Sequence, residues 1–524
     1  MIDWVLVEFI INIELFIMKK YSDYSDEILE TELYDGLVGF GMFAEKIPNF
    51  LTSEDFLQFS KMSTLPLNEK PKDYIRYPSM RNINILRPLA IPEPFAYVSQ
   101  CKSLSDNWVN LQNYFRSKTV NDKFKISRIH IRKLKGKSEL FEMKYKNFTK
   151  DGEPEQDIVI KSKYIAYADI STCFPSIYSH SIAWALVGKS YAKLKSKPAD
   201  KHEWFNQIDF HTRNLKYGET NGLLIGPHAS NIISEIILVS IDETLSNKGF
   251  KYIRNIDDYT CFVDSHEEAE NFFLSLSEEL KKYELSLNNK KSKIIPLPQA
   301  SIKNWVTKLN HFNFSNSYLY EGKTAIRVKE LKGFLDFAIE LMLEEDSDAS
   351  IINYAIKIIS NIHLSDNAKD YYIKQIHHLV LLYPYLAYLL DKNVFEPHEI
   401  DKKIIKEIAV DIYNYGIKRK IFEPCSYAIY WALKYDIDLE ISTLKTDSIS
   451  SLDCIFLTIA FCYDRKCQRK AYLKEYKDTA RLLKVSDFDK YWLFIYETLS
   501  STELTENYKV MKKNNITFIK NEFR

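Results

Sequence analysis

The rhythm of apolar and polar positions changes along the chain, and each change predicts a change of architecture. From residue 18 to about 60 the spacing predicts helices, with a turn near Pro48-Asn-Phe. From about 80 to 150 the texture becomes Pro-rich and then basic. Residues 160 to 300 alternate short apolar runs with helix-spaced ones, which predicts an α+β domain carrying acids at its strand ends. Glu330-Leu-Lys-Gly-Phe-Leu-Asp-Phe337 predicts one last strand or turn closing that domain. Beyond about 345, apolar residues recur at helical spacing, as in Ile351-Ile-Asn-Tyr-Ala-Ile-Lys-Ile-Ile359. Such runs continue to near Leu499, split by Pro384, Pro397 and Pro424, without a strict internal repeat. They predict an irregular, solenoid-like helical domain whose main role is packing or surface.

Against this background Asp257 and Asp258 stand out in Lys251-Tyr-Ile-Arg-Asn-Ile-Asp-Asp-Tyr-Thr-Cys-Phe262. The β-branched and aromatic surroundings predict two short strands with the acids at the tight turn between them. Adjacent carboxylates repel, and desolvating them costs several kcal/mol unless a cation or a donor compensates. Alone, such a pair is more often a turn on a surface hairpin. A third acid changes the balance. Tyr164-Ile-Ala-Tyr-Ala-Asp-Ile-Ser-Thr-Cys-Phe-Pro-Ser-Ile-Tyr178 reads as a buried strand that ends in Asp169 and runs into a helix, where the plain role for an acid is an N-cap. Three acids at the ends of apolar strands in one domain are tolerable when divalent cations neutralise them. Oxygen-only ligands favour Mg²⁺, which shares its shell with substrate phosphates. Two such ions about 4 Å apart activate a 3′-hydroxyl and stabilise leaving pyrophosphate, the chemistry of nucleotidyl transfer.

Composition bounds the partners. A chain of 524 residues is too long for one ordinary core and predicts two or three domains. Its 46% hydrophobic and 27% charged residues exclude a disordered chain. With 71 basic against 71 acidic residues there is no net field, so any nucleic-acid site must be a local patch. One such patch spans Arg116 to Lys150, with 12 Lys or Arg against 3 Asp or Glu. Inside it, Ser127-Arg-Ile-His-Ile-Arg-Lys-Leu-Lys-Gly-Lys137 predicts a basic β-hairpin turning at Lys135-Gly136, in which Arg128 and Arg132 hold phosphates; the plain alternative is a solvated flap. Thirty-five Tyr against 13 Gly suggest helices with few tight turns and many rings able to stack. Tyr383-Pro-Tyr-Leu-Ala-Tyr388 and Tyr427-Ala-Ile-Tyr-Trp431 are candidates for stacking on bases, although rings of this kind are more often core. His377-His378 are neighbours that point apart on a helix and are dismissed as a metal site. Seven Cys without a C-x-x-C pair point to free thiols in a reducing compartment. Residues 1–17 are apolar but carry Asp3, Glu8 and Glu14, which supports neither a signal peptide nor a membrane span; Met18 is an alternative start. The expectation is a soluble, cytoplasmic protein.

Taken in order, Asp169-x-x-x-x-Phe174, Asn221-Gly-Leu-Leu-Ile-Gly-Pro227, Asn255-Ile-Asp-Asp258 and Leu287-Asn-Asn-Lys-Lys-Ser292 resemble the palm motifs of reverse transcriptases, over roughly residues 80 to 340. More narrowly, Asp169-Ile-Ser-Thr-Cys-Phe-Pro-Ser-Ile-Tyr-Ser-His-Ser-Ile-Ala-Trp184 is similar to the abortive-phage-infection reverse transcriptases, of the AbiK type and related prophage-encoded proteins. The helical second half, where a polymerase thumb would otherwise follow, fits the same resemblance. It implies an α+β, right-hand-like fingers and palm over 18–340, followed by an all-α, HEAT-like domain over 341–524.

The resemblance also implies roles. Asp169 and Asp257 match metal ligands, with the carbonyl of Ile170 as a further one, and Asp258 matches the second acid of the pair; two Mg²⁺ ions, for which Mn²⁺ can substitute, are the implied cofactors. Phe174 matches the ring against the sugar 2′ position, where its bulk leaves no room for a 2′-hydroxyl, so that dNTPs are the substrates. Gly222, Gly226 and Pro227 match a loop that lets backbone approach the nucleotide or template. Lys291 matches a lysine near the triphosphate, a proton donor to pyrophosphate. Three departures from the pattern bear on template use rather than on the metal site. Asn221 stands where many reverse transcriptases have Gln, Asn255 replaces an aromatic residue before the acid pair, and neither a thumb nor an RNase H segment is evident.

The implied function is DNA synthesis without a nucleic-acid template, primed by a protein tyrosine that stays joined to the single-stranded product, in defence against phage. A priming hydroxyl must reach the metal-bound nucleotide, so it is expected on a mobile or intruding segment; spacing does not single one out among 35 tyrosines, and Tyr21, Tyr24 and Tyr34 near the N-terminus are candidates. One alternative is a reverse transcriptase copying a bound noncoding RNA; another is a helical scaffold or sensor with an inactive palm. A homo-oligomer, trimeric or hexameric, is expected in the first case, and no membrane partner in any.

Overall fold

The computed structural model describes residues 20–62, 68–128, 131–134, 136–137, 139–140, 154–300, 302–314, 318–320 and 323–524. The expected extension over 1–17 and the alternative start at Met18 lie outside these residues, as do Ile129, His130 and Lys135 of the expected basic hairpin. The chain divides into two compact units. One comprises the described residues up to Phe43 together with Ser53–Tyr74 and Ile91–Gln299; the other comprises Ala44–Thr52, Ile75–Ala90 and Ala300–Arg524. The division thus falls at Gln299, whereas the sequence suggested a boundary near 340.

In the second unit a hairpin of β1 (Ile75–Met80) and β2 (Leu86–Ile91) joins the C-terminal helices. Glu423 holds it, accepting from the Ser79 hydroxyl at 2.7 Å and the Met80 amide at 2.5 Å. The amide of Thr52 donates to the carbonyl of Phe518 at 2.9 Å, and that of Lys520 to Phe50 at 2.9 Å. Long-range backbone bonds of this kind carry no local sequence signal, which is why the early segments read as part of the first domain.

The centre of the first unit is an antiparallel sheet in the order β4–β5–β3–β6, built from β3 (Tyr164–Asp169), β4 (Lys251–Asn255), β5 (Asp258–Val263) and β6 (Lys293–Pro296). Its register pairs Asp169 with Asp258, Tyr167 with Thr260, and Asn255 with Asp258. Cross-strand partners share a face, so one face carries Ile165, Tyr167 and Asp169 beside Phe262, Thr260 and Asp258. Ile165, Ile253 and Phe262 pack with Ile158 on this face into an apolar cluster, and the acids stand at its end. The opposite face carries Tyr252, Arg254 and Tyr259 and is covered by helices. The helix His266–Lys282 starts where the Ser265 hydroxyl accepts from the Glu268 amide, and it buries Ala269, Phe272, Leu276 and Leu280 at helical spacing. Phe272 lies 5.8 Å from the ring of Tyr252. The helix Ala229–Asn247 is apolar on most sides and correspondingly buried, with Ile232, Ile233, Ile236, Ile237 and Leu238 all at 0–1% exposure.

The second unit is mostly helical. Lys402–Arg419, Phe422–Tyr435, Cys454–Lys466 and Phe488–Thr498 pack in succession. Two corrections apply. Glu330–Phe337 is not a strand but part of a helix, Val328–Glu344, because Leu331, Phe334, Leu335, Ala338, Leu341 and Met342 repeat at helical spacing and all go inside. The C-terminal half is also not purely α: His363–Leu364 pairs in parallel with Lys323–Ile326, which pairs antiparallel with Tyr318–Tyr320. Among the described residues no helix is long and apolar enough to cross a membrane.

Candidate active site

β4 and β5 are joined by the two-residue turn Ile256-Asp257. Ile256 has φ +57° while Asp257 is not left-handed, the pattern of a hairpin turn whose first central position usually holds glycine. A β-branched residue there is strained, and strain concentrates at functional sites. Thr172, three residues past the end of β3, has φ +44° and is a second such position. The two strained segments are tied together, since the Ile170 amide donates to the Asp257 carbonyl at 3.1 Å and the Ser171 amide to Ser286 at 2.9 Å.

Asp169 is 4% exposed and its carboxylate is fully engaged. Asn288 Nδ2 donates to Oδ1 at 2.7 Å, and Lys291 Nζ lies 2.6 Å from Oδ2. The Asn288 amide also donates to the Asp169 carbonyl at 2.7 Å, so a single turn delivers both side chains. The hydrogen bond to Asp169 raises the Lys291 ammonium above its ordinary range. Desolvation, then repulsion from Asp257 and a hydrogen bond shared with Asp169, push the Asp258 carboxyl up to about 7. Asp258 is open to solvent at the start of its strand, so crowding by the other acids weighs heavily beside desolvation.

Three carboxylates facing one ammonium leave surplus negative charge, and this all-oxygen donor set fits a divalent cation such as Mg²⁺. Among the described residues no three His, Cys, Asp or Glu side chains close on one point as a finished metal cage. An ion held here would complete its shell with other oxygens, as Mg²⁺ does with phosphates. Ile170 is 1% exposed and its main chain lies between the Asp257 carbonyl and Leu287.

The segment after Asp169 meets the loop at 221–227. Leu223 donates its amide to the Phe174 carbonyl at 2.7 Å, Gly222 donates to Ile177 at 2.7 Å, and Tyr178 bridges to Asn221. Gly222 has φ +83°, and a Cβ there would stand 2.8 Å from the Pro175 carbonyl oxygen; glycine is what allows this approach. Gly226, at φ +129°, and the buried Pro227 lead into the helix Ala229–Asn247. Lys216 Nζ donates to the carbonyl of Asn221. Phe174 is half-buried beside this loop. Asn255, paired across the ladder with Asp258, has an enclosed Oδ1 without a hydrogen-bond partner among the described residues.

The remaining sequence candidates are placed differently. Arg128 is 6% exposed and ion-pairs with Glu155 at 3.0 Å; Arg132 is 2% exposed and lies 5.8 Å from the Tyr24 ring. Ser127 pairs with Arg254 as an isolated parallel bridge. Tyr21 and Tyr24 are buried, and burial with Glu235 nearby pushes the Tyr21 hydroxyl well up. Tyr34 is half-buried, donates to Ser60 Oγ at 3.0 Å, and is pushed up to about 12 by burial; it lines an open cavity with Asp35, Ser60 and Lys61. In the second unit Tyr427, Tyr430 and Trp431 are core, with exposures of 0–5%, while Tyr385 and Tyr388 are half-buried under Lys46.

Residues with no role assigned from sequence complete the site. Asn288 holds Asp169, and Arg254 sits fully buried between Glu235 and Asp242 behind the acid turn. The available signal was Glu235 and Asp242 themselves, two acids seven positions apart on one side of an otherwise apolar helix.

Residues 114–313 match the family model described as reverse transcriptase (RNA-dependent DNA polymerase). No curated protein matches the chain. Among solved structures, apo telomerase from Candida tropicalis is similar over 72% of this chain and 71% of its own, at 12% identity and a TM-score of 0.30. Telomerase from Candida albicans, in complex with the TWJ fragment of telomeric RNA, is similar over 84% and 67%, at 11% identity and a TM-score of 0.27. Reverse-transcriptase domains generally use divalent metal ions, typically Mg²⁺. Residues 114–313 are thus a reverse-transcriptase domain, and through it the chain is a nucleotidyltransferase of the RNA-directed DNA polymerase class.

Proposed function

We propose that this enzyme polymerises dNTPs by two-metal nucleotidyl transfer without a nucleic-acid template, starting from one of its own tyrosines and remaining joined to the DNA, in defence against phage. The observation that carries the chemical part is the pairing of Asp169 with Asp258 beside the strained Ile256-Asp257 turn. In this reading Asp169, Asp257 and the carbonyl of Ile170 bind the metals, Asp258 supports them, and Lys291 protonates pyrophosphate. Phe174 closes the 2′ side of the sugar, while Gly222, Gly226 and Pro227 shape the floor.

The self-primed, template-free part is supported by the resemblance over Asp169–Trp184 and by Asn221 and Asn255 at positions that face primer or template in related enzymes. Tyr34 is favoured as primer over Tyr21 and Tyr24, because it alone of the three is partly open to solvent. Assembly into a homo-oligomer, read by light scattering, belongs to the same proposal. The test is incubation of purified, nuclease-treated protein with labelled dNTPs and Mg²⁺. Label that stays with the protein through phenol and is released by protease supports the reading. Incorporation only with an added primer and template defeats it.

The excess of 12 basic over 3 acidic residues between Arg116 and Lys150 favours a second reading, copying of a bound RNA. Loss of activity on RNase treatment, restored by the co-purified RNA, would select it.

A further inference from the structure

We propose that Arg254 is the positioning residue that holds the Asp257 turn in its strained conformation; the functional consequence rests on the nucleotidyl-transfer reading of that turn. Arg254 lies on β4, three residues before Asp257, but on the sheet face opposite Asp169 and Asp258. Its side chain has no exposed surface.

The guanidinium is gripped from two sides. Nη1 donates to Glu235 Oε1 at 2.7 Å, Nη2 to Glu235 Oε2 at 3.1 Å and to Asp242 Oδ2 at 2.6 Å, and Nε to Asp242 Oδ2 at 2.9 Å. The two acids are themselves oriented, Glu235 by the Ser127 hydroxyl at 2.8 Å and Asp242 by the Tyr252 hydroxyl at 3.0 Å. The main chain of Arg254 is fixed as well. Its amide donates to Ile126 at 2.9 Å, and its carbonyl accepts from Arg128 at 2.7 Å.

One further bond gives this cluster a purpose beyond joining helix to sheet. Nη1 also donates to the carbonyl oxygen of Ile256 at 2.8 Å. That carbonyl shares its peptide plane with the amide of Asp257, so anchoring it sets the direction from which Asp257 leaves the turn. The next peptide plane is anchored from the other side by the Ile170 amide on the Asp257 carbonyl. Asp257 is therefore held at both of its peptide units, by a buried guanidinium before it and by the Asp169 strand after it. Ile256 would leave its φ of +57° readily without such a hold, because a β-branched side chain disfavours that region. Only a planar fork with five donors serves two carboxylates and a carbonyl together; a lysine ammonium has three donors and no fork.

The experiment compares R254K in two backgrounds, the natural chain and I256G, since glycine adopts positive φ unaided. All variants are full-length, checked for fold by circular dichroism, and measured for dNTP incorporation and for Mn²⁺ binding by electron paramagnetic resonance. In the natural background R254K is expected to lower kcat by about 10²-fold, the scale of a displacement near 1 Å at a reacting group, with little change in KM for dNTP. In the I256G background the same substitution should cost about tenfold less, because the turn no longer depends on the hold. Equal losses in both backgrounds, or a folded R254K with kcat within about twofold of wild type, would overturn the proposal. Should R254K not fold, E235Q loosens the same grip at constant volume and is judged by the same comparison. Absence of nucleotide incorporation by the wild type would instead defeat the functional reading. Mn²⁺ affinity then decides the positioning role: several-fold weaker binding in R254K, restored by I256G, upholds it, and unchanged binding overturns it.

Discussion

Asp169 and Asp258 face each other across the β3–β5 ladder, one at the end of its strand and the other at the start. Asp169 is held by hydrogen bonds from Asn288 and Lys291, whereas Asp258, only partly relieved by Lys291, is pushed up to about 7 by desolvation and by its neighbouring acids. In the proposed reading this asymmetry lets the pair exchange a proton for a cation.

Removing one acid should therefore separate activity from stability. D257A and D169N are expected to lower dNTP incorporation by about 10³-fold or more, the effect of losing several kcal/mol of metal stabilisation in the transition state. D258N, without metal, should melt higher than wild type, because it deletes a repelled charge. Steady-state incorporation and thermal melts in EDTA check the two halves.

The pH dependence has a definite sign. A carboxyl whose pKa rises on folding stabilises the fold below its unfolded pKa, and that contribution is lost as pH rises through about 7. Metal-free protein should accordingly lose stability between pH 5 and 8 by more than D258N does; the difference isolates Asp258 from Glu423, which burial also pushes up to about 7. Because the metal displaces the proton, apparent Mg²⁺ affinity should increase from pH 6 to 8, by at most about tenfold per unit for a single proton. Melts and metal titrations on wild type and D258N test both statements.

Gly222 makes the tightest backbone approach in the loop facing Phe174. G222A places a Cβ 2.8 Å from the Pro175 carbonyl oxygen at φ +83°, and it should cost roughly 1–3 kcal/mol of stability. A higher KM for dNTP with a smaller change in kcat is the expected kinetic signature. Denaturant melts and dNTP titrations measure the two effects.

In the proposed reading Phe174 closes the 2′ side of the sugar and so governs sugar choice. F174A should relax discrimination between dNTP and rNTP by about 10–100-fold, with a smaller change in kcat for dNTP. Competition between labelled dNTP and rNTP measures the ratio directly.

Much of the geometry of this candidate site was legible in the sequence because its residues lie in short local patterns. Asp169 ending an apolar strand, Asp257-Asp258 between two strands and Asn221–Pro227 each lie within a few residues, and β3, β4 and β5 formed where the alternation indicated. What escaped depends on distant pairings. Arg254 reads as one more charge in a strand until Glu235 and Asp242 arrive from a helix. Arg128 reads as part of an open basic hairpin until Glu155 closes on it. Glu330–Phe337 on its own reads as a strand or turn, and its helical character shows only when Ala338, Leu341 and Met342 extend the spacing of Leu331, Phe334 and Leu335. Likewise the hairpin β1–β2 was assigned with its sequence neighbours, although Glu423 fixes it to the C-terminal helices.

The most direct measurement is the intact mass of the wild-type chain and of D257A, each incubated with dNTPs and Mg²⁺ after nuclease treatment. The account predicts wild-type protein heavier by a ladder of deoxynucleotide units, mapping to a tyrosine-containing peptide, and D257A at its unmodified mass. Unmodified wild-type protein that nevertheless extends an added primer on a template would contradict it.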